Sequence, residues 1–557
     1  MFLPQVDNQS IQVNRSYNMH ITFVGIGWEQ LGVSLLSALA KEQGHQVDLV
    51  FSVSLFNDRC HLTHDHLSSA FDDTRSVLKE IERRSPDVLV FSPISGTYRW
   101  MLNVAKESKR SLPKVKTIFG GVHSTAVPGR VIANPEIDYV CVGEGDIAFL
   151  EILKAIGHGG QRAPIINTRF KLPDGNIIVG KQDGFIHDLD SLPIFDKTIW
   201  EDHMQYNETY ITMGSRGCPY RCTFCFNSFF ADLPKEPGSG YVRYRSVDHL
   251  LYELQIAKKR YDFKLVEFFD DVFTLNKNWL KEFAYKYKKE IGIPYQIFTH
   301  IKCIDEEVAK WLAGSGCRSA QIGVQSMDDE YKKRFLNRRE TIYDVEKAIK
   351  FMDQYKIRAK FDHMFGLPLE PIEAQEKAKQ FYDEYPPYRV QTYWVNLYPG
   401  TEMLAQCHKD GIINDEEINR LEEGHNFDTF TRSNRLIDPD KLRTYKAYEL
   451  IFKLMVNLPR PLRKRLNAKI IKKIPASICG ALTFIVDLVS GLAKLDIDHT
   501  SYAKYYLYHM YRFVMNKLSI RVAGGTKIHD DTGYSFYPPR YEGLEVRDEQ
   551  KQVLTEA

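Results

Sequence analysis

The stretch Gly214-Ser-Arg-Gly-Cys-Pro-Tyr-Arg-Cys-Thr-Phe-Cys-Phe-Asn227 places Cys218, Cys222 and Cys225 at the spacing C-x3-C-x2-C. This glycine-flanked loop follows a predicted strand. Three soft thiolate ligands select an iron–sulfur cluster, zinc or copper(I). A structural zinc site normally takes four ligands at close spacing, whereas the next cysteine along the chain is Cys303. The loop therefore favours a [4Fe–4S] cluster with one iron left open, and structural zinc is the alternative.

A series of strand and helix signals surrounds this loop. Apolar runs suited to parallel strands occur at 209–214, 264–270, 294–300, 319–324, 358–364 and 390–397, with helical periodicity between them. Six strand–helix repeats predict a partial barrel rather than a closed eightfold one. We expect this barrel to span 201–410 and the remainder, 411–557, to be mostly helical.

Four further motifs lie at predicted strand ends: Glu267–Thr274, Gly323–Ser326, Gly366–Glu370 and Tyr398–Thr401. Together with the cysteine loop they resemble the radical S-adenosylmethionine (SAM) enzymes, a family in which SAM chelates the open iron of the cluster. One departure is Gln325, which stands where this branch of the family usually has Glu.

The resemblance implies which residues hold SAM. Asp270 and Asp271 are the candidates for its amino group, and a helix N-cap is the alternative role for these aspartates. The candidates that would lie along the ribose and adenine are Gln325, Ser326, Gly366 and Glu370.

The segment 1–157 also alternates between strand and helix signals, with strands predicted at 20–25, 47–51, 87–91, 116–120 and 138–143. This pattern predicts an α/β fold with a doubly wound, Rossmann-like parallel sheet, whose ligands bind beyond the carboxyl ends of the strands. A linker over 158–200 follows, with a small hairpin around Pro173-Asp-Gly175.

Glycine, serine and threonine residues at the ends of these strands resemble the cobalamin-binding domain found ahead of some radical SAM domains. The candidate cobalamin contacts are Ser95, Thr97, Gly120, Gly121, His123, Thr125, Gly143, Glu144 and Gly145. The motif D-x-H-x-x-G, which supplies a histidine ligand to cobalt, is absent, so the resemblance implies base-off cobalamin. His45 is predicted to be structural. A vestigial domain without cofactor is the alternative.

Composition limits the other possibilities. The chain has 557 residues and balances 74 Lys and Arg against 72 Asp and Glu, so a nucleic-acid partner is not expected. Nine cysteines in so long a chain are not a disulfide framework and predict a reducing compartment. The N-terminus has no secretion signal, and a cytoplasmic location is expected.

Three other patterns stay open. His61, His64 and His66 are interpreted as a solvated loop rather than a metal site. Cys303, Cys317 and Cys407 lack the spacing of ligands to an auxiliary cluster. The segment 460–473 holds seven basic residues and no acidic one, and an apolar segment follows. Such a pattern suits peripheral contact with an anionic membrane through 460–495, or else a solvated helix face beside a core helix.

The resemblance also implies the chemistry. The reduced cluster would cleave SAM to a 5′-deoxyadenosyl radical that abstracts hydrogen from an unactivated carbon, and cobalamin would deliver a methyl group. We expect an oxygen-sensitive methyltransferase acting on a secondary metabolite or a lipid, with flavodoxin or ferredoxin as electron donor. The alternatives are an oxidative cyclase or related carbon–carbon bond-forming enzyme, and a cobalamin- or redox-sensing binding protein. Tyr393, Trp394 and Tyr398 are candidates for the substrate pocket or for the core.

Overall fold

The computed structural model describes residues 18–57, 65–160, 163–234, 240–425, 439–494, 496–518, 520, 522, 524–530, 535–536 and 538. Two α/β units, each built on a parallel sheet, are followed by a helical region. The side chains of His61, His64 and His66 lie outside the described part of the chain.

The first sheet has seven strands in the order β2-β1-β3-β4-β5-β6-β7. The strands are β1 (His20–Ile26), β2 (Gln46–Ser52), β3 (Val88–Phe91), β4 (Lys116–Phe119), β5 (Tyr139–Cys141), β6 (Thr168–Lys171) and β7 (Ile177–Val179). The first five are parallel, as predicted, and the doubly wound arrangement is confirmed. The predicted hairpin forms β6 and β7, which extend the sheet with antiparallel pairing to β5.

Seven helices accompany this sheet within the described residues. They are α1 (Leu31–Glu42), α2 (Asp65–Ala70), α3 (Thr74–Arg84), α4 (Ser95–Ser111), α5 (Gly121–Ala126), α6 (Pro128–Ala133) and α7 (Asp146–Gly157). The strand β3 is buried along its whole length, because helices cover both faces of a doubly wound sheet. Helices α4, α5 and α7 begin immediately beyond β3, β4 and β5, so their first turns form the carboxyl edge of the sheet.

The second sheet contains six parallel strands in the order β15-β14-β13-β12-β11-β8. They are β8 (Thr209–Thr212), β11 (Leu265–Phe268), β12 (Tyr295–Thr299), β13 (Cys317–Gln325), β14 (Arg358–Phe365) and β15 (Arg389–Trp394). A separate two-stranded ribbon pairs β9 (Ser215–Arg216) with β10 (Arg243–Tyr244). The predicted partial barrel is therefore confirmed, since β8 and β15 stay at the two ends of an open sheet.

The helices that accompany the second sheet are α8 (Phe226–Phe230), α9 (Val247–Tyr261), α10 (Lys277–Glu290), α11 (Glu306–Ser315), α12 (Asp329–Phe335), α13 (Ile342–Gln354) and α14 (Glu373–Glu384). Aromatic rings fill the layer between strands and helices: Trp279 stacks on Phe283 at 5.3 Å, and Phe268 packs against Tyr295 at 5.5 Å. Rings of this size supply most of the apolar area that such a core buries.

The C-terminal region is helical, as predicted, within its described residues. Helix α15 (Glu402–Lys409) follows β15, before the start of this region. The helices of the region itself are α16 (Asp415–Glu422), α17 (Pro439–Met455), α18 (Arg460–Arg463), α19 (Ala468–Ile471), α20 (Ala476–Ala493) and α21 (Ile497–Lys517). Helix α17 packs on the barrel, with Phe452 stacked on Phe365 at 5.7 Å. Helix α20 in turn packs on α17.

Candidate active site

The cysteine loop begins directly after the ribbon strand β9. Gly217 has a positive φ of 90°, and a Cβ there would collide with the carbonyl of Tyr241, so only glycine allows the ribbon to approach the loop. Cys222 is buried, while Cys218 and Cys225 are half-buried. Each thiol lies within electrostatic range of another, because Cys222 and Cys225 both influence the pKa of Cys218.

Burial makes these thiols poor anions on their own. It raises the pKa of Cys218 and of Cys225 to about 12, so the thiolate forms need a cation to compensate their charge. No three His, Cys, Asp or Glu side chains among the described residues are arranged as ligands of one metal ion. In a cube each thiolate binds a different iron, so the trio need not converge on one point. The need for a compensating cation and the absence of a common point for the three described thiols are both consistent with a [4Fe–4S] cluster.

Arg338 is a cation in contact with Cys222. Its Nη1 lies 3.7 Å from Cys222 Sγ, and its Nη2 donates to the Gly323 carbonyl at 2.7 Å. The guanidinium also pairs with the buried Glu340 at 2.5 Å. Arg338 thus connects the cysteine loop to the end of β13. Sequence reasoning missed it, because 116 residues separate the two partners.

The segment around Arg338 packs on the cysteine loop through Thr223. The Thr223 N–H donates to the Leu336 carbonyl at 3.3 Å, and its hydroxyl donates to the Phe335 carbonyl at 2.7 Å. On another side, the ring of Tyr220 stacks on His300 at 3.8 Å. The loop is therefore held by several elements of the barrel before any cofactor binds.

The two predicted SAM aspartates differ in their surroundings. Asp270 is fully buried and accepts hydrogen bonds from Gly214 N–H at 2.9 Å and Ser215 Oγ at 2.5 Å. Burial raises the pKa of Asp270 to about 6, and these hydrogen bonds oppose that rise. Its carboxylate fixes the backbone ahead of the cysteine loop. A contact between Asp270 and SAM stays a prediction.

Asp271 is exposed, unlike its neighbour Asp270. Its Oδ1 accepts from Asn227 Nδ2 at 2.8 Å, and burial raises the pKa of this carboxyl. Asp271 also lies close enough to Cys218 and Cys225 to influence the pKa of both thiols. Of the two aspartates, Asp271 is the better placed to meet a cationic group beside the cysteines.

Of the four predicted ribose and adenine contacts, two have a positive φ, and the other two are buried. Gln325 has a positive φ of 60°, and its side chain folds back over Gly323 at the end of β13, where the register with β14 shifts. Ser326 and Glu370 are fully buried, and Gly366 has a positive φ of 75°.

Glu370 belongs to a buried network on the helix side of β14. Its Oε2 accepts from Gln375 Nε2 at 2.8 Å, and Gln375 Oε1 lies 2.8 Å from His363 Nε2. Burial raises the pKa of Glu370 to about 8. These partners give Glu370 a role in anchoring α14, and its predicted contact with SAM stays a prediction.

Partly exposed polar side chains line the barrel interior. Gln321 Nε2 donates to Asp362 at 2.9 Å and to the Tyr393 hydroxyl at 3.3 Å, and Tyr393 donates to Gln391 Oε1 at 2.8 Å. Trp394, the next residue on β15, points the other way and is buried, with its Nε1 bonded to Glu449 at 3.2 Å. Of the three predicted aromatic residues, Tyr393 is thus the interior-facing one, Trp394 belongs to the core, and Tyr398, beyond β15, is half-buried.

The carboxyl edge of the first sheet is built from short-range contacts. His123 is fully buried, with its Nδ1 2.9 Å from Ser95 Oγ and its ring 4.2 Å from that of Tyr98. Burial lowers the pKa of His123 to about 4. Thr97 bonds back to the backbone of Ile94 at 3.2 Å. These side chains therefore organise the loops among themselves.

Several of the predicted cobalamin contacts at the carboxyl edge of the first sheet are glycines. Gly121 has a positive φ of 74° and a Cβ there would lie 2.8 Å from Ser92 Oγ, so the turn after β4 requires glycine. Thr125 accepts from Gly143 N–H at 2.9 Å and so ties the ends of β4 and β5 together. With Gly120 and Gly145, four half-buried glycines stand at this edge, and protein atoms lie within 4 Å of the Cβ position of each. Their partly exposed backbone fits the approach of a bulky ligand such as cobalamin. His45 lies at the opposite edge, just before β2, where its Nδ1 accepts from Met19 N–H at 3.3 Å.

Ion pairs join this edge to the ribbon that precedes the cysteine loop. Glu144 pairs with Arg243 at 2.7 Å and with Arg216 at 3.3 Å, and Asp146 pairs with Arg216 at 2.9 Å. Arg216 lies two residues before Cys218. The predicted cobalamin residue Glu144 is therefore engaged by two arginines, neither of which the sequence singled out. The two predicted cofactor edges are neighbours in the fold.

The three cysteines considered for an auxiliary cluster have separate surroundings. Cys303 Sγ lies 3.4 Å from the Tyr220 hydroxyl, Cys317 contacts the Ser319 carbonyl at 3.5 Å, and Cys407, on α15, is buried in an apolar cluster.

Comparisons with known proteins agree with this geometry. The B12 binding domain family matches residues 21–153, and the Radical SAM superfamily matches residues 213–381. The chain therefore belongs to the radical SAM enzymes that carry a B12-binding domain, as the sequence motifs predicted. Radical SAM enzymes use a [4Fe–4S] cluster and SAM, and the B12-binding domain adds cobalamin.

Two relatives are similar over most of their length. An uncharacterized methyltransferase of Pyrococcus horikoshii is 26% identical over 70% of this chain and 81% of its own. An anaerobic magnesium-protoporphyrin IX monomethyl ester cyclase of Rubrivivax gelatinosus is 22% identical over 78% of this chain and 73% of its own. The solved structure of the cobalamin-dependent SAM radical enzyme OxsB, with aqua-cobalamin and SAM bound, has a TM-score of 0.58 at 14% identity, covering 92% of this chain and 77% of that one. This likeness extends the common fold into the helical region.

Proposed function

We propose that this enzyme is a cobalamin-dependent radical SAM methyltransferase that methylates an unactivated carbon of a small metabolite or a lipid. The proposal rests on the contact between the carboxyl edge of the first sheet and the ribbon that leads into the cysteine loop. The ion pairs of Glu144 and Asp146 hold this edge, which belongs to the B12-binding domain, against the ribbon. A methyl donor on one edge and a radical generator on the other would then meet at one opening.

When bound, SAM at the cluster and cobalamin supply the radical and the methyl group. The protein's own residues would bind the cofactors and the substrate, orient them and enclose them. Arg338 holds the Cys222 side of the loop, and Asp270 fixes its start. Asp271, which is exposed and lies close enough to Cys218 to influence the pKa of that thiol, would receive the cationic amino group of SAM. The Gln321, Asp362 and Tyr393 cluster in the barrel interior offers both donors and acceptors to a polar part of the substrate.

Base-off cobalamin without a protein histidine is part of the same proposal. His45 lies at the wrong edge of the sheet, and His123 is buried against Ser95 and Tyr98. Neither of these histidines is therefore placed to serve as a protein ligand of bound cobalamin, which would supply the methyl group.

We infer a flavodoxin- or ferredoxin-like electron donor and a place for it. A cavity of about 650 Å³ lies beside the cysteine loop and is lined by Arg338, which touches Cys222. Three basic side chains, Lys333, Arg338 and Arg339, and three acidic ones, Asp329, Glu330 and Glu340, line it, so the support for a donor here is the closeness of the cavity to Cys222 and not its charge. The cytoplasm suits such a donor, and the eight described cysteines form no disulfide.

The test uses enzyme reconstituted anaerobically with iron, sulfide and cobalamin, then supplied with methyl-labelled SAM, a reductant and metabolite or lipid extracts. A methyltransferase transfers label to one extract and yields both S-adenosylhomocysteine and 5′-deoxyadenosine. Formation of 5′-deoxyadenosine without S-adenosylhomocysteine would instead support the oxidative cyclase, which the Rubrivivax relative favours. A protein that yields neither nucleoside fits the sensor alternative.

A further inference from the structure

Helix α20 presents an apolar face to solvent. Among the described residues it is the one helix long and apolar enough to cross a membrane. Exposed apolar side chains recur along α20 at helical spacing and form a stripe that faces solvent. Within it, Ile485 and Val489 are 52% and 58% exposed. The exposed apolar residues of this helix are Ile478, Leu482, Phe484, Ile485, Leu488, Val489 and Leu492. A helix on the surface of a soluble protein normally shows the reverse arrangement, with polar residues outward.

Ion pairs fix the orientation of α20. Asp487, the single charged residue of the helix, pairs with Arg389 at 2.8 Å and with Lys453 at 3.1 Å. The side chains of Cys479 and Thr483 are buried. Lys453 is itself buried on α17. Rotation of α20 would therefore leave the buried Lys453 ammonium without Asp487, which is unfavourable. The apolar stripe is therefore held outward by the fold.

Unpaired basic residues precede this helix. The segment 456–486 contains no Asp or Glu. Lys464, Arg465, Lys469, Lys472 and Lys473 are exposed, and no described carboxylate pairs with any of them. Two apolar side chains stand among them, Leu462 and Ile470, the latter 64% exposed. Positive charge and exposed apolar surface thus occur in one continuous segment.

We propose that residues 460–493 dock this enzyme on the surface of an anionic phospholipid bilayer. Helix α20 lies in the interface with its stripe among the upper acyl chains, and the five basic side chains meet the lipid phosphates. This partner goes beyond the proposed function and does not depend on it. Spanning the bilayer is disfavoured, because Asp487 keeps α20 against α17. A second copy of the chain is disfavoured, because it would bring the same cations together.

The test is flotation of the full-length reconstituted protein with vesicles of phosphatidylcholine, with or without phosphatidylglycerol. The expected result is binding to the phosphatidylglycerol vesicles that weakens at least tenfold when salt is raised, and weak binding to pure phosphatidylcholine. The double variant Ile485→Glu/Val489→Glu should lose binding. Leu507→Glu, on α21 and 66% exposed in the native chain, is the matched control and should bind like the wild type.

A fluorescence measurement keeps the proposal testable if the charged variant fails to fold. Phe484→Trp places a reporter on the stripe, and its fluorescence should be quenched by brominated acyl chains. Two outcomes would overturn the proposal: undiminished binding by the Ile485→Glu/Val489→Glu variant, or a dimer that does not bind vesicles and that this variant converts to monomer. Production of 5′-deoxyadenosine in vesicle-free buffer is unaffected in either case, so a failure here is distinct from a failure of the proposed function.

Discussion

The edge that carries the cysteines and the carboxyl edge of the first sheet are assembled in different ways. Contacts that hold the cysteine loop join residues 116, 112 and 56 positions apart, through Arg338, Phe335 and Asp270. The first edge combines shorter contacts, Ser95 with His123 at 28 positions and Thr125 with Gly143 at 18 positions, with long-range ion pairs of Glu144 with Arg243 and of Asp146 with Arg216, at 99 and 70 positions. The difference teaches that the loops of the first edge are partly organised by neighbours in the chain, whereas these contacts of the cysteine loop all come from distant parts of the barrel. Single changes should therefore do more damage at the barrel edge.

The largest effect is expected for Cys222→Ala. Removal of one of three thiolates should abolish cluster assembly, measured as iron and sulfide per chain after anaerobic reconstitution and as loss of the brown chromophore. Cys303→Ser is the matched control, because Cys303 lies near Tyr220 but outside the trio. It should load like the wild type, and equal loss in both variants would mean that the trio is not the ligand set.

Arg338→Gln should come next. It leaves Glu340 as a buried, uncompensated carboxylate, which typically costs about 3–5 kcal/mol, and it removes the contact to Cys222. We expect a lower unfolding temperature together with faster loss of iron to a chelator.

Two further variants separate the possible causes. Arg338→Gln/Glu340→Gln should recover most of the stability but not the iron retention. Arg339→Gln, at an exposed neighbour, should stay within about 0.5 kcal/mol of the wild type. Full recovery of iron retention in the double variant would contradict a direct role of Arg338 at Cys222.

Glu144→Gln tests whether the two edges depend on each other. The change weakens the pairs with Arg243 and Arg216, so cobalamin occupancy after gel filtration should fall several-fold while iron content changes little. Glu151→Gln, on the exposed side of α7, is the control. Cobalamin retention equal to that of the wild type would mean that Glu144 does not hold the edge.

The smallest effect concerns Asp362 in the barrel interior. Burial raises the pKa of its carboxyl to about 7, against the opposing effect of the Gln321 hydrogen bond. The folded state thus holds this proton more tightly than the unfolded state between about pH 4 and pH 7, so the stabilising contribution declines as pH rises through that window.

Asp362→Asn removes this titration. The variant should match the wild type near pH 4 and exceed it by about 1–3 kcal/mol at pH 8, as measured by the pH dependence of the unfolding temperature. Asp440→Asn, at an exposed carboxylate, should leave the pH profile unchanged. A wild-type profile that stays flat from pH 5 to pH 8 would contradict the assignment.

The sequence predicted the features that are local in the chain. Both sheets, the open six-stranded barrel and the cysteine trio follow from short apolar runs and close spacing. The partners of those residues could not be predicted, because the fold alone brings Arg338 to Cys222 and Arg243 to Glu144. The two adjacent aspartates looked equivalent in sequence, yet Asp270 is buried and bonded to backbone, whereas Asp271 is exposed. Likewise, the apolar segment after Lys473 could be read as core or surface until Asp487 was placed against Lys453.

Quantifying 5′-deoxyadenosine from SAM tests the central claim most directly. Wild-type enzyme carrying iron, sulfide and cobalamin, mixed anaerobically with SAM and reductant, should form 5′-deoxyadenosine, and Cys222→Ala should form none above background. A wild-type protein with a fully loaded cluster that yields no 5′-deoxyadenosine, or a Cys222→Ala variant that yields as much as the wild type, would contradict the account.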